Sequence, residues 1–178
     1  RGLTTIPPIR VGCALDVSGS ARPFYEGSNV MQDTIDRLLA VALKFDDNGE
    51  LDAWLFHDGV LPQLPTITAT DEGTYVNKVI LKQRGLWGAT NYAPVLSAVV
   101  SFYFGATPPA KGLGGWFGKK ATSPSGVKKD PAMLLFITDG SNSDETATER
   151  VLRDAEANTP VYFNMVGIGN PRYFKFIK

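Results

Sequence analysis

The sequence has one cysteine and one histidine among its 178 residues, and neither sign of charge is in excess. A single cysteine, Cys13, excludes an internal disulfide, and its place in an apolar stretch predicts a small buried core residue. Lysine plus arginine and aspartate plus glutamate number 18 each, so no overall field attracts nucleic acid or an anionic membrane. No run of about 18 apolar residues occurs and no leader pattern opens the sequence, so we expect no membrane span and a cytoplasmic location.

Apolar residues make up 43% of the sequence, enough for the core of one ordinary globular domain. Short apolar runs predict strands at residues 9–16, 51–56, 60–64, 131–138 and 161–168. Apolar side chains that recur every three or four residues predict helices at residues 29–45, 70–82, 92–104 and 142–158, the last opened by a capping box of Asn142 and Glu145. We therefore expect an α/β fold, with a doubly wound, mostly parallel sheet, helices on both faces and one antiparallel edge strand at 60–64.

Residues 9–20 change abruptly from apolar side chains to oxygen-bearing ones. The first half is continuous enough to predict a central strand with both faces buried. Asp16, Ser18 and Ser20 then occupy alternate positions, so a tight loop can turn one carboxylate and two hydroxyls toward a single point. Open α/β sheets bind ligands at the carboxyl ends of their strands, and hard oxygen ligands suit Mg²⁺. On spacing alone, a strand followed by an ordinary Ser/Gly turn is an equally good interpretation.

Strand direction provides an independent test of this oxygen cluster. If the first strand runs toward Asp16, the order of the elements places the loop at 85–91 and the loop after residue 138 at the same edge of the sheet. Thr90 and Asp139 then arrive beside the three earlier side chains. Convergence of oxygen-bearing side chains from separate loops favours a metal site over a plain turn.

Three short motifs together resemble the metal-ion-dependent adhesion site (MIDAS) of von Willebrand factor type A (vWA) domains. They are Asp-Val-Ser-Gly-Ser at 16–20, Gly-Ala-Thr-Asn at 88–91 and Ile-Thr-Asp-Gly at 137–140. The style of the first two motifs is most similar to the bacterial tellurium-resistance and stress-response branch. The resemblance implies a vWA/Rossmann-like sheet and a single domain over residues 1–178, without the last strand and helix that the family usually has.

The resemblance also implies roles for the five side chains. Ser18, Ser20 and Thr90 would ligate Mg²⁺ or Mn²⁺, expected ahead of Ca²⁺, and Asp16 and Asp139 would act directly or through water. Neutral hydroxyl ligands leave the ion with much of its charge, so an open coordination position attracts a carboxylate from a protein partner. We therefore expect a metal-dependent adaptor domain rather than an enzyme, with a role in tellurium resistance or a related stress response.

A second class of function remains open from the residues alone. Asp16 could serve a Mg²⁺-dependent hydrolase or phosphotransferase as nucleophile or metal ligand. Against this, the residue two positions later is Ser18 rather than an acid, and that serine is not in a Gly-x-Ser-x-Gly elbow. For His57 a packed or solvated turn residue is favoured over a base or a pH-sensitive contact. Trp87 is either a partner anchor or packed under its loop.

Residues 106–130 show neither helical nor strand periodicity and contain five glycines and five lysines. This composition predicts a long, flexible insertion at the edge of the sheet opposite the oxygen cluster. Trp116 and Phe117 with these lysines could contact an anionic surface. The basic residues are few and irregular, so a solvated loop is favoured and no nucleic acid partner is expected.

Overall fold

The structure is a computed structural model that describes residues 9–46, 48–105, 130–140 and 142–174. The strands are β1 (Arg10–Asp16), β2 (Asp52–Phe56), β3 (Ala132–Thr138) and β4 (Val161–Gly167). The α-helices are α1 (Arg22–Tyr25), α2 (Val30–Phe45), α3 (Tyr75–Lys78), α4 (Ala93–Phe104) and α5 (Glu145–Asn158), with 3₁₀ turns at Ala69–Asp71, Ile80–Lys82 and Pro171–Tyr173. Residues 106–129 of the predicted insertion lie outside the described residues.

The sheet has the strand order β2-β1-β3-β4, and every neighbouring pair is parallel. β1 lies in the interior of the sheet, where six of its seven residues are buried, as its continuous apolar run predicts. Because the strands are parallel, all four carboxyl ends lie at one edge. The predicted mostly parallel α/β fold is confirmed, and the loops that carry the oxygen-bearing residues follow from that edge.

The predicted antiparallel edge strand is wrong for the part of the chain that the structure describes. Residues 60–64 run back beside β2, but only the pair Phe56 and Val60 forms an antiparallel bridge there, and a second isolated bridge joins Leu51 and Ile67. Pro62 interrupts the segment, and proline has no N–H to donate to a ladder. The turn forms, but the strand does not continue.

Helices cover both faces of the sheet. On one face, Met31 and Ile35 of α2 pack in a cluster with Cys13 and other β1 side chains. On the other face, α4 and α5 pack over Trp54 and Phe136. Full burial of each large apolar side chain contributes about 1.5–3 kcal/mol, so both layers stabilise the sheet. Burial raises the pKa of the Cys13 thiol, which agrees with the predicted core role. Within the described ranges, no helix combines the length and apolar composition needed to cross a membrane.

The predicted helices require three corrections. Residues 70–82 form two 3₁₀ turns and the short α3 rather than one helix, because Gly73 has a left-handed φ of 68° that interrupts the helical path. The loop after β1 contains α1, which the sequence pattern did not predict. α5 has Asp144 at its N-cap, and Asn142 instead accepts a hydrogen bond from the N–H of Asp144 at 3.0 Å, so the predicted capping box is absent.

Candidate metal centre

The first loop of the site leaves β1 at Asp16 and turns immediately. The N–H of Ser18 donates to Asp16 Oδ1 at 2.8 Å, and the hydroxyl oxygens of Ser18 and Ser20 lie 3.2 Å apart. The N–H of Ala21 closes the turn by donating to the Ser18 carbonyl at 3.1 Å. Asp16 and Ser18 are buried, whereas Ser20 is exposed. The loop therefore gathers a carboxylate and two hydroxyls at a rim that solvent reaches from one side.

Thr138, the last residue of β3, connects the first loop to the third. Its hydroxyl donates to Asp16 Oδ2 at 2.7 Å and accepts from the N–H of Gly140 at 3.2 Å. The hydroxyl oxygens of Tyr92 and Thr138 lie 2.8 Å apart. Tyr92 is the donor in this pair, because Thr138 has already given its single hydrogen to Asp16. Both oxygens of the Asp16 carboxylate thus have donors, which fixes its orientation.

Asp139 is the least satisfied polar residue of the site. Its side chain is buried, and among the described residues its Oδ1 is the one buried side-chain oxygen or nitrogen without a hydrogen-bond partner. Burial raises the pKa of Asp16, and the charge of Asp139 raises it further, against the hydrogen bonds from Ser18 and Thr138 that lower it. Two buried carboxylates thus oppose each other, and a divalent cation would relieve that repulsion and give Asp139 Oδ1 a partner.

The donor chemistry of the site also fits a hard divalent cation. In the described parts of the chain, no group of three or more His, Cys, Asp or Glu is placed to hold a metal ion. A cation here would therefore need the hydroxyl oxygens of Ser18 and Ser20 in addition to the two carboxylates. Carboxylate, hydroxyl and water oxygens are ligands that Mg²⁺ and Mn²⁺ accept.

The second loop, residues 85–91, pairs with the first through its backbone. The N–H of Trp87 donates to the Val17 carbonyl at 2.8 Å, and the N–H of Gly19 donates to the Gly88 carbonyl at 2.9 Å. Ser18 and Gly88 form a parallel bridge. These bonds hold the segment just before Thr90 against the segment that carries the two serines.

Thr90 is buried and is tied to the third loop. Its carbonyl accepts from the N–H of Ser143 at 3.0 Å. Asp144 strengthens this link, because its carboxylate oxygens accept from the N–H of Tyr92 at 2.8 Å and from the N–H of Ala93 at 3.0 Å. The same carboxylate therefore anchors the start of α4 and also accepts from the Thr148 hydroxyl of α5 at 2.9 Å. The three loops behave as one hydrogen-bonded unit around the candidate site.

His57 and Asp58 lie behind the second loop. The His57 ring contacts the Asp58 carboxylate, and the N–H of Asn91 donates to the His57 carbonyl at 2.8 Å. A Cβ on Gly88 would come within 2.8 Å of both His57 Nδ1 and Asp58 Oδ1, so a residue larger than glycine would push the loop away. The packed interpretation of His57 agrees with these contacts.

Trp87 packs across the outside of the first loop. Its ring makes an edge contact with Tyr25 at a centroid distance of 5.6 Å, and the Arg22 guanidinium lies 5.7 Å from the ring centroid. Tyr25 in turn donates its hydroxyl to the Asp16 carbonyl at 2.7 Å. Trp87 adopts a φ of 73°, the one left-handed non-glycine residue in the described ranges. Such a bulky residue at positive φ is strained, and the surrounding contacts hold it there.

The structure brings the predicted site residues together at one edge of the sheet. Ser18 is hydrogen-bonded to both Asp16 and Ser20. The charge of Asp139 acts on Asp16, and Thr90 lies on the loop that pairs with the first loop. Sequence reasoning missed the supporting residues, namely Tyr25, Tyr92, Thr138 and Asp144. For Thr138 a signal was present, since a threonine at a buried strand end directly precedes the site aspartate.

A parallel α/β sheet with hydroxyl and carboxylate oxygens from the loops after β1 and β3 at its carboxyl edge defines a class of doubly wound domains with a candidate cation site. The chain belongs to the vWA-TerF-like family, described as the vWA domain found in the TerF C terminus, which matches residues 8–110 and 120–178. The predicted vWA membership is therefore confirmed. The match to this family agrees with the predicted tellurium-resistance branch.

Individual relatives agree with this membership. The chain is 32% identical over 166 residues to the uncharacterized protein YcbR of Bacillus subtilis (strain 168), and the match covers 92% of this chain and 58% of YcbR. The manganese-loaded TRAP protein of Plasmodium vivax is similar at a TM-score of 0.59 and 14% identity, over 96% of this chain and 62% of that chain. Proximal thread matrix protein 1 of the mussel byssus, with a zinc-occupied MIDAS motif, is similar at a TM-score of 0.55 and 15% identity. This match covers 92% of this chain and 39% of that chain. At these identities the structural likeness shows the fold.

Proposed function

We propose that this chain is a divalent-metal-dependent protein-binding domain. Ser18, Ser20 and Thr90 hold Mg²⁺ or Mn²⁺ through their hydroxyls, and Asp16 and Asp139 balance the charge directly or through water. The observation that carries the proposal is the buried Asp139 Oδ1, which lacks a donor beside the buried carboxylate of Asp16. Since a buried acceptor without a partner costs about 1–3 kcal/mol, a bound cation explains why the sequence places two carboxylates there.

The comparisons support the choice of ion and of biological setting. One structural neighbour is manganese-loaded and another has zinc in its MIDAS motif, which favours a divalent cation at the corresponding edge of this sheet. The family description favours a role in tellurium resistance or a related stress response. The chain spans 58% of the length of YcbR, and the proposed role is that of this domain.

Recognition of a partner carboxylate follows from the electrostatics of the ion. Hydroxyl ligands are neutral and water separates an aspartate's charge from the ion, so a cation held mainly by Ser18, Ser20 and Thr90 keeps much of its charge. An open coordination position then attracts an anionic oxygen. The exposed Ser20 marks the side from which such a group can approach. A glutamate or aspartate on a protein partner has the required charge and hard oxygen.

The enzyme alternative is disfavoured by the hydrogen bonds of Asp16. Its side chain is fully buried, and its two oxygens accept from the Ser18 N–H at 2.8 Å and the Thr138 hydroxyl at 2.7 Å. These bonds hold the carboxylate in a buried position, whereas a carboxylate nucleophile must reach its substrate. Attack by Asp16 would require the loop to open.

Metal titration by calorimetry tests the proposal. We expect Mg²⁺ and Mn²⁺ to bind, and Thr90→Ala and Ser18→Ala each to weaken binding at least tenfold while the fold persists. Thr159→Ala is a matched control, because this hydroxyl donates to the Ala155 carbonyl at 2.7 Å at the end of α5, away from the site. Unchanged ion affinity in Thr90→Ala would refute the three-loop assignment.

Carboxylate recognition has its own measurement. If a carboxylate completes the coordination, acetate should raise Mg²⁺ affinity by the same factor by which Mg²⁺ raises acetate affinity, as linkage requires. Metal-dependent turnover in a phosphatase and ATPase screen, lost in Asp16→Ala, would instead establish the enzyme alternative.

A further inference from the structure

A pocket of about 340 Å³ opens directly beside the proposed metal site. Its lining residues are Ser20, Phe24, Asp139, Ile168, Asn170 and Tyr173. Ser20 and Asp139 belong both to this pocket and to the proposed metal shell, so the pocket begins where the metal coordination would end. A group attached next to a metal-bound carboxylate would therefore enter it first.

Contacts between aromatic rings and glycine backbone hold the β4 side of the pocket in place. A Cβ on Gly169 would lie 2.8 Å from the Phe24 ring, and a Cβ on Gly167 would lie 2.6 Å from the Phe174 ring. Both rings fit because those two positions have no side chain. The Asn170 side chain accepts from the N–H of Arg172 at 3.0 Å and fixes the turn that carries Tyr173. The pocket is thus formed by packing that exists before any partner arrives.

The lining determines which chemical group fits. Phe24, Ile168 and Tyr173 supply apolar surface, and none of the six lining residues carries a positive charge. An anion would be repelled by Asp139, so the carboxylate belongs on the metal and the pocket suits an uncharged apolar group. Preformed, mostly apolar concavities of this kind bind large side chains at protein interfaces.

We propose that this pocket receives an aromatic or large aliphatic side chain adjacent to the partner's acidic residue, so that the domain recognises an acidic residue flanked by a bulky apolar one. The inference rests on the proposed function, since the metal-bound carboxylate positions the neighbouring side chain. It also assigns Phe24 and Tyr173 as specificity-determining residues, although neither is a proposed metal ligand.

Two blocked dipeptides provide a direct test. N-acetyl-Asp-Phe-amide and N-acetyl-Asp-Ala-amide carry the same single carboxylate and differ in the side chain that would enter the pocket. We expect either N-acetyl-Asp-Phe-amide or its reversed form, N-acetyl-Phe-Asp-amide, to bind the Mg²⁺-loaded domain about tenfold more tightly than the matching Ala peptide. The gain comes from partial burial of the ring and is measured by NMR titration. N-acetyl-Asn-Phe-amide should lose most of that affinity, because it cannot ligate the ion.

A matched pair of tyrosine variants tests the location. Tyr173 lines the pocket and Tyr162 lies on β4 outside it, and the two residues have almost equal exposures of 61% and 62%. Tyr173→Ala should abolish most of the advantage of the Phe peptide without changing Mg²⁺ affinity, whereas Tyr162→Ala should change neither.

The failures of the two proposals are distinguishable. If the Asp-Ala peptide binds in a Mg²⁺-dependent manner and the phenyl ring adds nothing in either order, the pocket inference is overturned and the proposed function stands. If Mg²⁺ binds but no carboxylate peptide does, carboxylate recognition itself fails, and the pocket inference with it. A phenyl advantage that persists in Tyr173→Ala would place the apolar contact elsewhere and also overturn the inference.

Discussion

Replacing Asp139 by asparagine exchanges one carboxylate oxygen for an amide at a position where a buried oxygen has no donor. In the metal-free protein this change removes a negative charge that opposes the buried Asp16. Loss of this repulsion is worth on the order of 1 kcal/mol, the free energy of about one pKa unit, so we expect Asp139→Asn to be more stable than the parent protein in chelator. Most core substitutions destabilise, which makes the sign of this change informative.

The same substitution should remove the stabilisation by metal. For the parent protein, free ion at about 100 times Kd adds about 2.7 kcal/mol of stability. At about 2–4 °C per kcal/mol for a domain of this size, that corresponds to about 5–10 °C in Tm. Asp139→Asn should show a shift close to zero, because the cation loses one of its two charged partners. Thermal and urea unfolding in chelator and in Mg²⁺ measure both effects.

Asp144→Asn is the matched control from the same loop. Its carboxylate oxygens accept from backbone N–H groups at 2.8 and 3.0 Å, so an amide there places a donor against a donor. We expect Asp144→Asn to lose about 1–3 kcal/mol in chelator and in metal alike. If Asp139→Asn is destabilised as strongly as Asp144→Asn in chelator and keeps its metal response, the assignment of Asp139 to the cation is wrong.

Three further substitutions have expected outcomes. Thr138→Val removes the hydroxyl that joins Asp16 and Tyr92, so unfolding free energy should fall by about 2–4 kcal/mol and Mg²⁺ affinity should fall with it, measured by urea unfolding and calorimetry. Gly88→Ala should weaken Mg²⁺ binding severalfold with little loss of stability, because the new Cβ displaces the second loop. Burial raises the pKa of Asp52, so its folded pKa exceeds the unfolded value of about 3.9 and stability is lost as pH rises through the folded pKa. The stability of Asp52→Asn relative to the parent should therefore increase as the pH rises above about 4, the unfolded pKa, and a difference in urea midpoint that stays constant with pH would contradict this.

The sequence by itself determined the layered α/β fold and the chemistry of the candidate site. Continuous apolar runs such as β1 and β3 can be buried only inside a sheet covered on both faces. Strand direction then placed Thr90 and Asp139 beside the residues that follow β1, because parallel strands share one carboxyl edge. These are properties of local patterns and of chain order, which a sequence displays directly.

Only the tertiary structure decided how the site is held and what lies beside it. The bond from Thr138 to Asp16 joins residues 122 positions apart, and the bond from Tyr92 to Asp144 joins residues 52 apart. No local pattern marks such partners, since each depends on where two loops come to rest. The pocket between Phe24 and Tyr173 depends in the same way on rings that pack over glycines from other segments. The predicted edge strand at residues 60–64 failed for a local reason. The Asp-Gly turn forms, but Pro62 has no N–H to donate, so the hydrogen-bond ladder with β2 does not continue.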